Sequence, residues 1–79
     1  MMNWKTENNQ LEKVFNFQDF SQAMQFVNKV GALAEKINHH PDILIFAYKK
    51  VKISLTTHSA GNVTSLDHEL AEKIDRLTQ

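Results

Sequence analysis

Residues 50–57 alternate without a break. Val51, Ile53, Leu55 and Thr57 fall on one side of an extended chain, and Lys50, Lys52, Ser54 and Thr56 on the other. Period two marks a strand with one dry face and one wet face. Such a strand needs partners in a sheet and a second layer over its apolar side. The remaining residues must supply both, and 79 residues make a single domain, 1–79. A chain this short buries about 60–65% of its unfolded surface, so its core is small. The absence of cysteine removes disulfides and thiolate metal sites as supports. Self-association is the remaining common way to stabilise so small a fold.

The other elements follow from spacing. Residues 4–7 read as a short strand, and Asn8-Asn9, which tolerate positive φ, as its hairpin turn. Leu11, Phe15 and Phe17 share one face of a second strand, with Lys13 the exception. Asp19 opens a helix as N-cap, and Gln22 three residues on completes a capping box. Phe20, Ala23, Met24, Val27, Val30, Gly31, Ala34 and Ile37 form its apolar stripe, widened by Phe26 and Leu33. Gly31 within the stripe suggests a close approach to the sheet. Pro41 sets the helix end near Asn38. The apolar run 43–46 is a third strand, with a turn or irregularity at Tyr48-Lys49-Lys50 before the alternating one. Ser59-Ala60-Gly61-Asn62 is a loop. Thr64 caps a last helix whose face is Leu66, Leu70, Ala71, Ile74 and Leu77. The fold class is therefore α+β, two layers in the order β-β-α-β-β-α: a four-stranded antiparallel sheet with both helices on one face.

Charge and hydropathy exclude some functions. Lys plus Arg and Asp plus Glu are nine each, without the basic excess that marks nucleic-acid binders. No apolar run approaches the ~20 residues of a membrane span. Met1-Met2-Asn3-Trp4-Lys5 has no signal-peptide apolar core, so a cytoplasmic location is expected.

Chemistry concentrates in three short pieces: Asn38-His39-His40-Pro41, His58 at the end of the alternating strand, and Asp67 at the start of the last helix. Histidines at a helix C-terminus also serve the helix dipole alone. Three histidines can bind zinc, but this spacing matches no common zinc motif. Glu35 stands one helical turn before His39, placed to fix its tautomer. Asp67 is placed to do the same for His58, to hold the loop, or simply to cap with Thr64. His68 shares none of this pattern and reads as surface.

The spacing Glu35, His39-His40-Pro41, Tyr48, His58, Asp67 closely resembles the signature of the pterin-4a-carbinolamine dehydratases. The resemblance spans almost the whole chain: Trp4, Phe15-Asn16-Phe17-Gln18-Asp19-Phe20, the stretch from Ala34 to Asp42, and the stretch from Tyr48 to His58. It implies the same two-layer fold and a hydro-lyase that converts 4a-hydroxytetrahydropterin to the quinonoid dihydropterin. That step recycles the pterin cofactor of aromatic amino acid hydroxylases. The elimination needs one proton given and one removed, work suited to histidine near neutrality and requiring neither metal nor cofactor.

By the same resemblance His39, His40 and His58 surround a pterin substrate, with His39 and His58 as the acid/base pair and His40 orienting. Asn38, Thr56, Thr57 and Ser59 line the substrate site, supported by Glu35 and Asp67. The resemblance also implies a homodimer or homotetramer. Two rival functions are a binding or dimerisation module that keeps this fold without turnover, and a dehydratase of molybdopterin metabolism. Four departures bear on this. Six residues, 42–47, separate Pro41 from the aromatic where many relatives have five, which predicts a bulge between two parts of the site. Asn38 stands where aspartate is frequent, Leu66 where some relatives carry arginine, and the helix that often precedes the tryptophan is missing.

Overall fold

A computed structural model describes residues 4–78. Its elements are β1 (Lys5–Glu7), β2 (Gln10–Asn16), α1 (Phe20–Ile37), β3 (Asp42–Phe46), β4 (Lys50–Leu55) and α2 (Ser65–Arg76). The strands form one sheet in the order β1-β2-β4-β3, antiparallel throughout. The expected β-β-α-β-β-α order and two-layer fold are therefore present. The first hairpin turns at Asn8 and Asn9, with φ 52° and 61°, as a tight turn of this hand requires.

The alternating strand lies where its pattern demands. Val51, Ile53 and Leu55 are fully buried in the centre of the sheet, against Leu11 and Phe15 of β2. Ala23, Phe26 and Val30 of α1 and Leu70, Ala71 and Ile74 of α2 close the core over that one face. Lys13, the polar exception on β2, points to the same side and reaches the end of α2, where its Nζ lies 2.7 Å from Asp75 Oδ1 and 4.7 Å from the Phe15 ring. Trp4 donates its indole N–H to the same carboxylate, at 3.0 and 3.1 Å to its two oxygens.

Several expectations need correction. The buried stripe of α1 runs through Ala23, Phe26, Val30 and Ala34, so Phe26 is central rather than flanking. Phe20 is 52% exposed and Leu66 45% exposed. Phe20 stands in the first turn of α1, and in the first turn of α2 it is Asp67, not Leu66, that is buried. Gly31 makes no close approach: a Cβ built there meets nothing within 4 Å. Gly31→Ala is therefore expected to stabilise the domain by about 0.5–1 kcal/mol through helix propensity, read as a higher urea midpoint at unchanged slope.

The expected bulge in the third strand is also absent. β3 pairs with β4 residue for residue, from Asp42 opposite Ser54 to Phe46 opposite Lys50. The length of this stretch is taken up by the turn at 47–49, where Ala47 and Tyr48 have φ 48° and 52°. That tip begins five strand steps beyond Asp42, roughly 17 Å from the end next to Pro41.

Candidate active site

Helix α1 ends in a way that turns its two histidines apart. Asp19 Oδ1 accepts the Gln22 N–H at 2.8 Å at the other end, while Gln22 Oε1 reaches back to the Gln18 N–H rather than to Asp19 itself. At the C-terminus Asn38 is left-handed, φ 53° and ψ 44°. Its N–H donates to the Glu35 carbonyl at 3.3 Å, and the His39 N–H to the Ala34 carbonyl at 3.1 Å. These are the paired bonds of a Schellman closure, in which asparagine is one of the few residues that accept the required φ. Asn38, rather than Pro41, makes the stop.

This closure overturns the expected Glu35–His39 pairing. Once Asn38 leaves the helical path, His39 no longer stands over Glu35. Glu35 Oε2 instead meets His40 Nε2 at 2.5 Å, with both side chains largely exposed. His39 swings toward α2, and its Nε2 lies 2.6 Å from Asp67 Oδ1. Asp67 thus partners His39 and not His58.

Asp67 is the hub of the corner. Its side chain is fully buried, yet every oxygen is occupied. Oδ2 accepts the Thr57 hydroxyl at 2.8 Å and the Thr64 N–H at 2.9 Å, and Oδ1 faces His39. Burial opposes ionisation, but hydrogen bonds from His39, the Thr64 backbone and Thr57 outweigh it and hold the carboxyl below its ordinary range. Asp67 therefore both caps α2 and fixes a histidine 28 residues away. An ionised carboxylate only accepts, so the His39 nitrogen facing it carries the proton and Nδ1 is left open.

The remaining expected residues separate. His58 opens the tight loop after β4, closed by the Thr57 N–H to the Asn62 carbonyl at 3.1 Å, with Gly61 at φ 68°. It is exposed, and its ring makes no hydrogen bond among the described residues. The strand ladder stops at Leu55, although burial continues its alternation to Thr57. Thr57 adjoins His58 in sequence, but its hydroxyl is spent on Asp67 and Thr64. Thr56 turns the other way and donates to the Asn9 carbonyl at 2.9 Å. Ser59 is exposed in the loop. Thr64 was expected only as a helix cap; its hydroxyl lies 2.7 Å from that of Thr57. The Thr64-x-x-Asp67 spacing was the signal available for it.

A cavity of about 610 Å³ borders β2, the N-terminal half of α1 and the end of α2, and contains none of the histidines. Among the described residues no cluster of three His, Asp or Glu side chains is arranged to hold a metal ion. No helix among them is long and apolar enough to cross a membrane.

Comparison with known proteins bears on the family and the fold. Residues 1–77 match the model of the family described as pterin 4 alpha carbinolamine dehydratase. A protein of Sulfurisphaera tokodaii, named provisionally as such an enzyme, is 52% identical over 77 residues, covering 98% of this chain and 82% of its own. A similarly named protein of Nostoc punctiforme is 47% identical over 74 residues, covering 94% and 78%. The crystal structure of a transcriptional coactivator/pterin dehydratase from Brucella melitensis superposes with a TM-score of 0.92 at 34% identity, covering 99% of this chain and 84% of that one. A pterin dehydratase-like protein described as a RuBisCO assembly factor of the alpha-carboxysome has a TM-score of 0.77 at 26% identity, covering 95% and 88%. The chain belongs to the pterin 4 alpha carbinolamine dehydratase family.

Proposed function

We propose that this protein is a cytoplasmic hydro-lyase that converts a 4a-hydroxytetrahydropterin to the quinonoid dihydropterin in pterin cofactor recycling. The observation that carries the proposal is the 2.6 Å contact between His39 and the buried carboxylate of Asp67, in a chain of this family. The substrate bears a hydroxyl on the carbon next to a ring N–H. Elimination breaks the C–O bond, forms the C=N bond, takes a proton from nitrogen and delivers one to the hydroxyl, which leaves as water. In this reading His39 accepts the nitrogen's proton at Nδ1, and Asp67 stabilises the imidazolium across the ring. His58, exposed and uncommitted, protonates the leaving hydroxyl. His40, steadied by Glu35, orients the ring. Asn38 and Ser59 bind substrate, while Thr56 and Thr57, with their hydroxyls engaged elsewhere, contribute backbone and shape.

The test is stopped-flow loss of the carbinolamine generated in solution. Saturable acceleration over the spontaneous reaction is expected. A folded protein that leaves the spontaneous rate unchanged would overturn the proposal and favour the non-catalytic binding module; one protein of the same fold is described as a RuBisCO assembly factor.

The protein is also proposed to act as a homo-oligomer. β3 is an edge strand of sequence Asp-Ile-Leu-Ile-Phe with no lysine or proline to protect it, and Leu44 is 54% exposed. Such an edge pairs readily with another strand. Light scattering at micromolar concentration should give a dimer or tetramer, and a monomer would refute it.

A further inference from the structure

The hydroxyl pair behind Asp67 has a direction. Thr57 donates to Asp67 Oδ2, because a carboxylate can only accept. A hydroxyl has one hydrogen, so at its 2.7 Å contact with Thr64 the Thr57 oxygen must be the acceptor and Thr64 the donor. The protons therefore run one way, from Thr64 to Thr57 to Asp67, and the His39 N–H meets the same carboxylate from the other side. The inner part of the relay is sealed, with Thr57 9% exposed and Asp67 0%, and Thr64 is half-buried at its outer end. Glu35, the other acid near the end of α1, is engaged by His40 and does not compete for His39.

We propose that Thr57, backed by Thr64, is a positioning residue for the dehydration: the hydroxyl relay keeps Asp67 an acceptor, which holds the His39 proton on Nε2 and leaves Nδ1 as its reactive nitrogen. This rests on the dehydratase reading for its role in catalysis, but not for its effect on the ring. If Thr57 loses its hydroxyl, one of three donors to a fully buried carboxylate disappears. Burial then weighs more heavily against the charge, and the neutral imidazole is free to exchange tautomers. A threonine that merely filled space would do none of this.

The experiment uses protein labelled with 15N in histidine and 13C in the aspartate carboxyl. In the wild type, His39 should give a protonated Nε2 and an unprotonated Nδ1. Thr57→Val should raise the Asp67 titration midpoint by about one pH unit, a tenfold change in proton affinity. It should also introduce an Nδ1–H population in His39 and lower kcat about tenfold with KM little changed. Thr57→Ser, which keeps the hydroxyl, should restore all three. If Thr57→Val fails to fold, Thr64→Val decides, since it removes only the outer donor and leaves the Thr64 N–H on Asp67; a smaller shift in the same direction is expected. A folded variant lacking the relevant hydroxyl, with wild-type ring spectra and Asp67 titration, would overturn the relay. The ring spectra need no turnover. An inactive wild type that still shows the predicted shifts would end the dehydratase reading and leave the relay standing.

Discussion

His39→Gln should fold like the wild type and lose nearly all turnover. The glutamine amide can donate to Asp67 as Nε2 of His39 does at 2.6 Å, so the buried carboxylate stays satisfied. It cannot exchange a proton near neutrality. Removing a positioned acid/base group costs typically 10²–10⁴-fold, and a fall of that order in kcat is expected, with far-ultraviolet dichroism unchanged and the thermal midpoint within a few degrees. His40→Gln should cost less, because His40 is surface-exposed and, among the described residues, its ring is held by an exposed Glu35. If the two variants fell equally, the distinction between the buried and the exposed pair would be wrong.

Asp67→Asn should harm both stability and rate. Asparagine has one acceptor oxygen where the carboxylate has two, and its amide would point a donor at a donor. At a fully buried position that leaves at least one group unpaired, at about 3 kcal/mol. For a domain of this size that corresponds to a fall in melting temperature of roughly 15 °C. Activity should drop about 10–100-fold through the loosened His39. The same residue sets an acid limit on the fold. Its carboxyl titrates below the ordinary range when folded and within it, near 3.9, when unfolded, so its stabilisation is complete above that value. The stabilisation is lost as pH falls toward the lower, folded value. Wild-type melting temperature should therefore drop steeply below about pH 4, and the asparagine variant should lack that component of the drop.

Period and turn chemistry made most of the fold legible. The alternation from Val51 to Thr57 located the central strand, and Asn8-Asn9 located the hairpin, because both signals are local. The errors arose where placement depended on something distant. Phe20 and Leu66 fit their helical stripes, but a stripe does not say which side chain of the first turn is buried, and in α2 that is Asp67. Phe26 was set beside the stripe and lies at its centre. Glu35 and His39 have ideal helical spacing, and the single left-handed residue Asn38 undoes it by sending His39 toward α2. Asp67 was singled out by its spacing, but its choice of His39 over His58 depends on how α1 ends. The candidate residues were legible from type and spacing, whereas their pairings required the chain reversal at Asn38.

The measurement that addresses the whole account most directly is a titration of 15N-histidine protein with a stable 7,8-dihydropterin, following every ring by NMR. Four histidines report at once, and they divide cleanly: His39, His40 and His58 are the three proposed to surround the pterin, and His68 lies on an exposed face of α2. The account predicts saturable shifts of the first three with a common dissociation constant, while His68 stays still. Saturable binding that moves none of the three, or no binding by a folded protein, would contradict it.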